Sequence, residues 1–217
     1  MPTARLRAFS FPKEDFALPQ FLRPLFLAAA LVAGIAAPGL AASIPYSERA
    51  LGSPDAKVTI VEYSSLLCPH CADFHTQILP ELKKEYIDTG KVRLVFKDHS
   101  LGQPLAVGAS VIARCAPEQN FFPLITTLFA NQRTWATAKD PLAALQGYAA
   151  LAGMDKAAVE ACLDNQDVFN GVQAGEAEAG RIGVESTPSF VIDGKPVLVG
   201  AQPIEAFRKV LDPLVGG

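Results

Sequence analysis

Cys68-Pro69-His70-Cys71 stands between a strand-like run, Thr59 to Tyr63, and a helix-like run from Ala72 to about Asp88. Two cysteines three positions apart at a strand-to-helix junction make a dithiol that can close as a disulfide and open again. The junction also constrains the fold, because a strand must deliver the chain to a helix N-terminus at that point. Lys57-Val58-Thr59-Ile60-Val61-Glu62-Tyr63 is β-branched and nearly all apolar, the pattern of a central strand covered on both faces, with Glu62 as the exception. Downstream, Cys71, Phe74, Ile78 and Leu82 recur at helical spacing, widened by Leu79 and Tyr86, so Cys71 should face inward. Pro80 predicts a kink, since it removes a backbone donor and crowds the preceding turn. Gly90 ends the helix, and Val92 to Phe96 reads as a second strand of a β-α-β unit.

From about Gln103 to Gly183 strand patterning disappears. Alanine-rich segments at Leu105 to Cys115, Phe121 to Ala130, Leu142 to Leu151, Lys156 to Leu163 and Val168 to Arg181 predict helices, separated by Pro117, Pro141 and Gly153. Strand character returns at Ser189 to Ile192. Asp193-Gly194 is a hairpin turn signal leading into Pro196 to Val199, and Pro203 to Leu211 predicts a closing helix. The expected organisation is a leader over residues 1–42, a tether over 43–56, an α/β unit split into residues 57–102 and 184–217, and a helical insertion over 103–183.

The compartment follows from the N-terminus. Arg5, Arg7, Lys13 and Arg23 precede an apolar run from Leu25 to Ala37, and small residues follow to Ser43. This reads as a secretory signal peptide cleaved near residues 41–43, because about 13 apolar residues fall short of the ~20 that span a bilayer. An exported chain with four cysteines is expected to hold disulfides. A net charge of −3 with scattered Lys and Arg argues against a nucleic-acid surface.

If the helix begins at the dithiol, Cys68 is its N-cap, with Pro69 first, His70 second and Cys71 third. Proline is tolerated at that first position because its missing donor has no intrahelical partner there. A Cys68 thiolate would then accept from free N–H groups and sit at the positive end of the helix dipole, which lowers its pKa. His70 adds donor capacity. Stabilising the thiolate stabilises the reduced form, which makes the disulfide a better oxidant. Rival readings are weaker. Cys68, Cys71 and His75 supply three zinc ligands but no second close pair completes the site. A c-type haem needs His where Ala72 stands. An inert disulfide across so short a loop would restrain little of the unfolded chain.

Glu62-Tyr63-Ser64-Ser65-Leu66-Leu67-Cys68-Pro69-His70-Cys71, with Phe74, Pro80 and Ser186-Thr187-Pro188-Ser189-Phe190, resembles the DsbA family of exported thiol:disulfide oxidoreductases. The resemblance implies a thioredoxin fold with an inserted helical subdomain, covering essentially the whole chain after the leader. By the resemblance, Cys68 is the exposed nucleophile and Cys71 its buried partner, and Pro188 is a cis-proline beside them. Thr187 then occupies the position that tunes redox behaviour, and Glu62 is a buried carboxyl beneath the pair that helps manage the proton on Cys71. A carboxylate reaching water is the alternative for Glu62. His75 departs from members with an acidic residue there and reads as a packed, hydrogen-bonded histidine. Thr187 also occurs in isomerase relatives.

Cys115 and Cys162 fall in two predicted helices with no cysteine or histidine nearby. In an oxidising compartment a structural disulfide is expected, contributing roughly 4 kcal/mol by the chain-entropy relation; two separate buried thiols are the alternative. The expected function is periplasmic oxidation of reduced exported proteins, without a bound cofactor or metal. By the resemblance, a quinone-linked membrane oxidase of the DsbB type would reoxidise the dithiol. Residues 43–56 cannot supply the dimerisation domain typical of the isomerases, so a monomer is expected. An isomerase or reductase of the same fold, and a non-catalytic holdase or metal-binding module, are the competing readings.

Overall fold

The computed structural model describes residues 45–216, so the leader and its cleavage point lie outside the described residues. Five strands form one sheet in the order β1-β3-β2-β4-β5. These are β1 (Arg49–Leu51), β2 (Val58–Ser64), β3 (Val92–Asp98), β4 (Ser189–Ile192) and β5 (Lys195–Val199). β2 lies between β3 and β4, which is why it tolerates so few polar residues. β2 and β3 pair in parallel from Val58↔Val92 to Ser64↔Asp98, and the other pairings are antiparallel. Tyr63↔Ser189 is the last pair of β2 with β4, so residues 187 and 188 arrive beside the C-terminal end of β2. The β4–β5 turn uses Asp193 and Gly194, both at positive φ (50° and 73°), as the Asp-Gly signal predicts.

The expected tether needs correction. Within residues 45–56 the chain forms β1, an edge strand antiparallel to β3, and Arg49 is buried with its guanidinium donating to the carbonyl of Arg114 (3.2 Å). Three residues, only one of them a large apolar, are too short and too weakly patterned to announce a strand. The pairing comes from β3 offering an open edge.

The kink at Pro80 takes the form of two π turns. The helix after the dithiol runs as α1 (Pro69–Asp73), a π turn (Phe74–Ile78), α2 (Leu79–Leu82) and a second π turn (Lys83–Ile87). Pro80 has no N–H to donate to the turn before it, and the Leu79 N–H reaches back five residues to Phe74. The wider turn absorbs the proline without ending the helix.

Between β3 and β4 run α3 (Pro104–Arg114), α4 (Glu118–Ala130), α5 (Gln132–Ala136), α6 (Pro141–Leu151), α7 (Lys156–Leu163) and α8 (Gln166–Arg181); α9 (Ile204–Val215) closes the chain. Asp140, Asp155 and Asn165 cap α6, α7 and α8 by accepting from backbone N–H groups, which fixes these helix starts despite their uniform alanine content. Among the described residues no helix is long and apolar enough to cross a membrane.

Two apolar clusters hold the site. Phe74 of the first π turn packs on Phe190 of β4 (4.6 Å between ring centroids) and Phe207 of α9 (5.6 Å). Each fully buried ring contributes about 1.5–3 kcal/mol, and together they fix the dithiol helix to the strand that follows Pro188. The second cluster is centred in the insertion and includes Phe121, Ile125, Leu128 and Trp135; it reaches Leu66, Cys71 and Phe96. Arg114 joins insertion to sheet: its Nε donates to Asp98 Oδ2 (2.7 Å) and its terminal nitrogens to the carbonyls of Phe96 (3.0 Å) and Ser47 (3.1 Å). Gly175 of α8 permits this closeness, because a Cβ there would stand 2.5 Å from the Asp98 carbonyl oxygen.

Candidate active site

β2 ends at Ser64, three residues turn the chain, and the helix starts with Cys68 as N-cap in an extended conformation (φ −81°, ψ 121°) and Pro69 as its first residue. The Cys68 sulfur is half-buried and Cys71 is fully buried, as the stripe including Phe74 and Leu82 requires. Thr187-Pro188 is a cis peptide, and the Cys68 thiol donates to the Thr187 carbonyl at 3.2 Å. The pairing of β2 with β4 thus brings Cys68, Cys71, Thr187 and Pro188 together from opposite ends of the chain.

The two sulfurs are pushed in opposite directions. The Cys71 thiol, donating to the Cys68 sulfur, is the main cause that lowers the Cys68 pKa to about 5; Thr187 and the backbone N–H groups of Cys71 and His70 add to it, against partial burial. The Thr187 hydroxyl has no other partner and is available to the thiolate. Burial raises the Cys71 thiol far above its usual range, and its hydrogen bond to Cys68 and the negative charge of Glu62 add to that. His70 contributes its backbone N–H, while its ring stands in solvent 3.5 Å from Asp73.

Glu62 and His75 meet beneath the dithiol. Both side chains are fully buried, with His75 Nε2 3.0 Å and 3.2 Å from the two carboxyl oxygens of Glu62. The buried alternative for Glu62 therefore holds over a carboxylate reaching water, and His75 is packed and hydrogen-bonded. Cys115 and Cys162 are joined in the insertion, with Cα atoms 6.1 Å apart, within disulfide reach. Among the described residues no three His, Cys, Asp or Glu side chains are grouped to hold a metal ion.

Sequence reasoning missed Gln132. Its side-chain amide donates to the carbonyls of Leu66 and Cys68, 2.9 Å each, tying α5 to both sides of the nucleophile. No pattern marked it, since α5 is five residues long and carries no periodicity of its own.

The Cys68 shift sets a pH dependence. The reduced protein's thiolate absorbance is expected to titrate with a midpoint near pH 5, against about 8.5 for an unfolded cysteine. A depressed folded-state value contributes stability that is present above the unfolded pKa and lost as pH falls through the folded one. The reduced form should therefore gain stability relative to the oxidised form as pH rises from about 5 to about 8.5. Above that the gain should reverse, because an unfolded Cys71 ionises where the folded one cannot. Melting both redox forms across this range checks the sign; parallel curves would contradict it.

A dithiol at a helix N-terminus, facing a cis X-Pro peptide at the end of a mixed sheet, defines a thioredoxin-fold dithiol protein. The chain belongs to the thioredoxin family, whose model matches residues 46–213. Wolbachia pipientis alpha-DsbA1 is similar in structure, with a TM-score of 0.70 and 27% identity over 78% of this chain and 92% of that one. A Rickettsia bellii protein provisionally named a protein-disulfide oxidoreductase is 32% identical over 155 residues, 70% of this chain and 59% of its own length. Disulfide bond formation protein D of Bacillus subtilis is 34% identical over 94 residues, 40% of this chain and 42% of that protein. The matched part of the chain thus spans well under two thirds of the Rickettsia protein's length.

Proposed function

We propose that this chain is a periplasmic thiol:disulfide oxidoreductase that introduces disulfides into reduced exported proteins. What carries the reading is the opposed placement of the two sulfurs, Cys68 half-buried at the helix N-cap with its pKa lowered to about 5, and Cys71 fully buried with its thiol pushed up. A substrate thiolate attacks Cys68 of the Cys68–Cys71 disulfide, and the Cys71 sulfur leaves and takes up a proton. A second substrate thiolate then attacks the substrate sulfur of the mixed disulfide and releases Cys68 as a stable thiolate. The good leaving group makes the disulfide oxidising. Pro69 sets the helix start, Thr187 and Pro188 form the wall beside the sulfurs, and Glu62 manages the Cys71 proton. Cys115–Cys162 is a structural disulfide of the insertion. The basic, apolar leader of the sequence supports export; reoxidation by a DsbB-like quinone-linked membrane protein and a monomeric state complete the reading.

Equilibrating the Cys68–Cys71 pair with a glutathione redox buffer tests the direction. The expected potential lies above the about −180 mV of protein disulfide isomerase; one near the about −270 mV of thioredoxin would make the protein a reductase.

A further inference from the structure

The turn that carries Cys68 has little hydrogen bonding of its own to hold it. Between β2 and the first helical residue it makes two local bonds, from the Cys68 N–H to the Ser65 carbonyl (3.0 Å) and from the Leu67 N–H to the Ser65 hydroxyl (3.3 Å). Gln132 supplies the rest from the insertion. Among the described residues it is the one donor to the carbonyl of Leu66, a fully buried residue whose carbonyl would otherwise be costly to leave unpaired. It is also a third donor to the carbonyl of Cys68, which already accepts from the N–H groups of Cys71 (3.1 Å) and Ala72 (3.2 Å). A carbonyl oxygen has two lone pairs, so one of these three donors is surplus. The Cys71 N–H is at the same time one of the backbone groups that favour a Cys68 thiolate. The base from which Gln132 reaches the turn is itself anchored, because the Asn131 amide at the start of α5 donates to the Thr127 carbonyl of α4 (2.8 Å).

We infer that Gln132 is a positioning residue for the nucleophile: by satisfying the Cys68 carbonyl it frees the Cys71 N–H to turn towards the Cys68 sulfur, and by holding the Leu66 carbonyl it fixes the turn that aims that sulfur. Gln132 touches neither sulfur and acts only through the main chain. In the disulfide Cys68 carries no charge for the N–H to serve, so this contribution falls on the reduced form. Without the amide, the Cys71 N–H stays on the Cys68 carbonyl and the thiolate loses part of a donor. The reduced form is then less stable and the disulfide a weaker oxidant. A residue of the helical insertion thereby helps to set the redox behaviour of a dithiol that lies outside the insertion.

The inference rests on Cys68–Cys71 being an exchanging pair, whichever the direction of exchange. Gln132→Met, close to glutamine in length but without a donor, is titrated by thiolate absorbance and equilibrated with a glutathione buffer at pH 7. The acid dissociation constant of Cys68 and the equilibrium constant for oxidation of glutathione by the disulfide are each expected to fall about three- to tenfold, as when one hydrogen bond to a charged group is weakened. That factor corresponds to roughly 15–30 mV in potential. The two constants should fall together, because both read the stability of one thiolate. Gln132→Glu sets a carboxylate against the same two carbonyls and should move both at least as far. A role confined to holding the fold would lower the melting temperature of both redox forms alike and leave both constants where they are. Either folded variant with both constants within about twofold of the parent protein's would overturn the inference, as would a change in one constant without the other. A reductase-like potential in the parent protein would instead remove the oxidase reading and leave the ratio of parent to variant as it is.

Discussion

Cys68→Ser is expected to abolish disulfide exchange, a loss of at least about a thousandfold, while leaving the protein folded. The size follows from chemistry: the attacked and leaving sulfur is gone, and a serine hydroxyl at neutral pH is neither a thiolate nor able to form the mixed disulfide. The fold should survive because Cys68 is only half-buried, and its neighbours are held through backbone carbonyls by Gln132 rather than through the sulfur. Cys71→Ser gives the complementary result. Without Cys71 no internal disulfide forms and substrate oxidation stops, while the Cys68 thiol can still attack a substrate disulfide and is left in mixed disulfides that no Cys71 displaces. Oxidative refolding of a reduced disulfide protein measures both variants. A Cys68→Ser protein with undiminished activity would identify a holdase, for which the dithiol is incidental.

Arg114→Met should produce the largest loss of stability away from the dithiol, about 3–5 kcal/mol. Arg114 and Asp98 are both almost fully buried, so removing the guanidinium strands a carboxylate in a low-dielectric interior. The carbonyls of Phe96 and Ser47 lose their donor, and the rings of Tyr46 and Phe121 lose the cation 4.7 Å and 4.9 Å away. For a domain of this size the melting temperature should fall by roughly 10 °C. Adding Asp98→Leu should recover part of the loss by removing the stranded charge. A single variant that melts within a degree or two of the parent would show that water reaches Asp98.

What could be read from the sequence was what depends on neighbours along the chain. Val58 to Tyr63, the Asp193-Gly194 turn and the N-cap placement of Cys68 each carry their cause within a few residues: β-branching, a tolerated positive φ, and a proline at the first helical position. β1, α5 and the partners of Glu62 do not. Arg49 pairs in the sheet because β3 is open there, Gln132 finds the carbonyls of Leu66 and Cys68 from 66 and 64 residues away, and His75 meets Glu62 through the β2–helix crossover. Pro80 announced a kink, but nothing local distinguishes a bend from a π turn. Within the insertion the expected helix ends at Ala130, Leu151, Leu163 and Arg181 hold, whereas α4 and α8 begin three and two residues before their expected starts at Phe121 and Val168, and α5 was not expected.

The chain contains one tryptophan, Trp135, fully buried on α5 with its indole N–H donating to the Leu128 carbonyl. It stands three residues, about one helical turn, from Gln132, whose amide grips the carbonyl of Cys68. All the tryptophan emission of this protein therefore originates on the short helix that touches the active-site loop. The molecule carries a built-in optical gauge of its dithiol, and no label need be attached to watch the two sulfurs open and close.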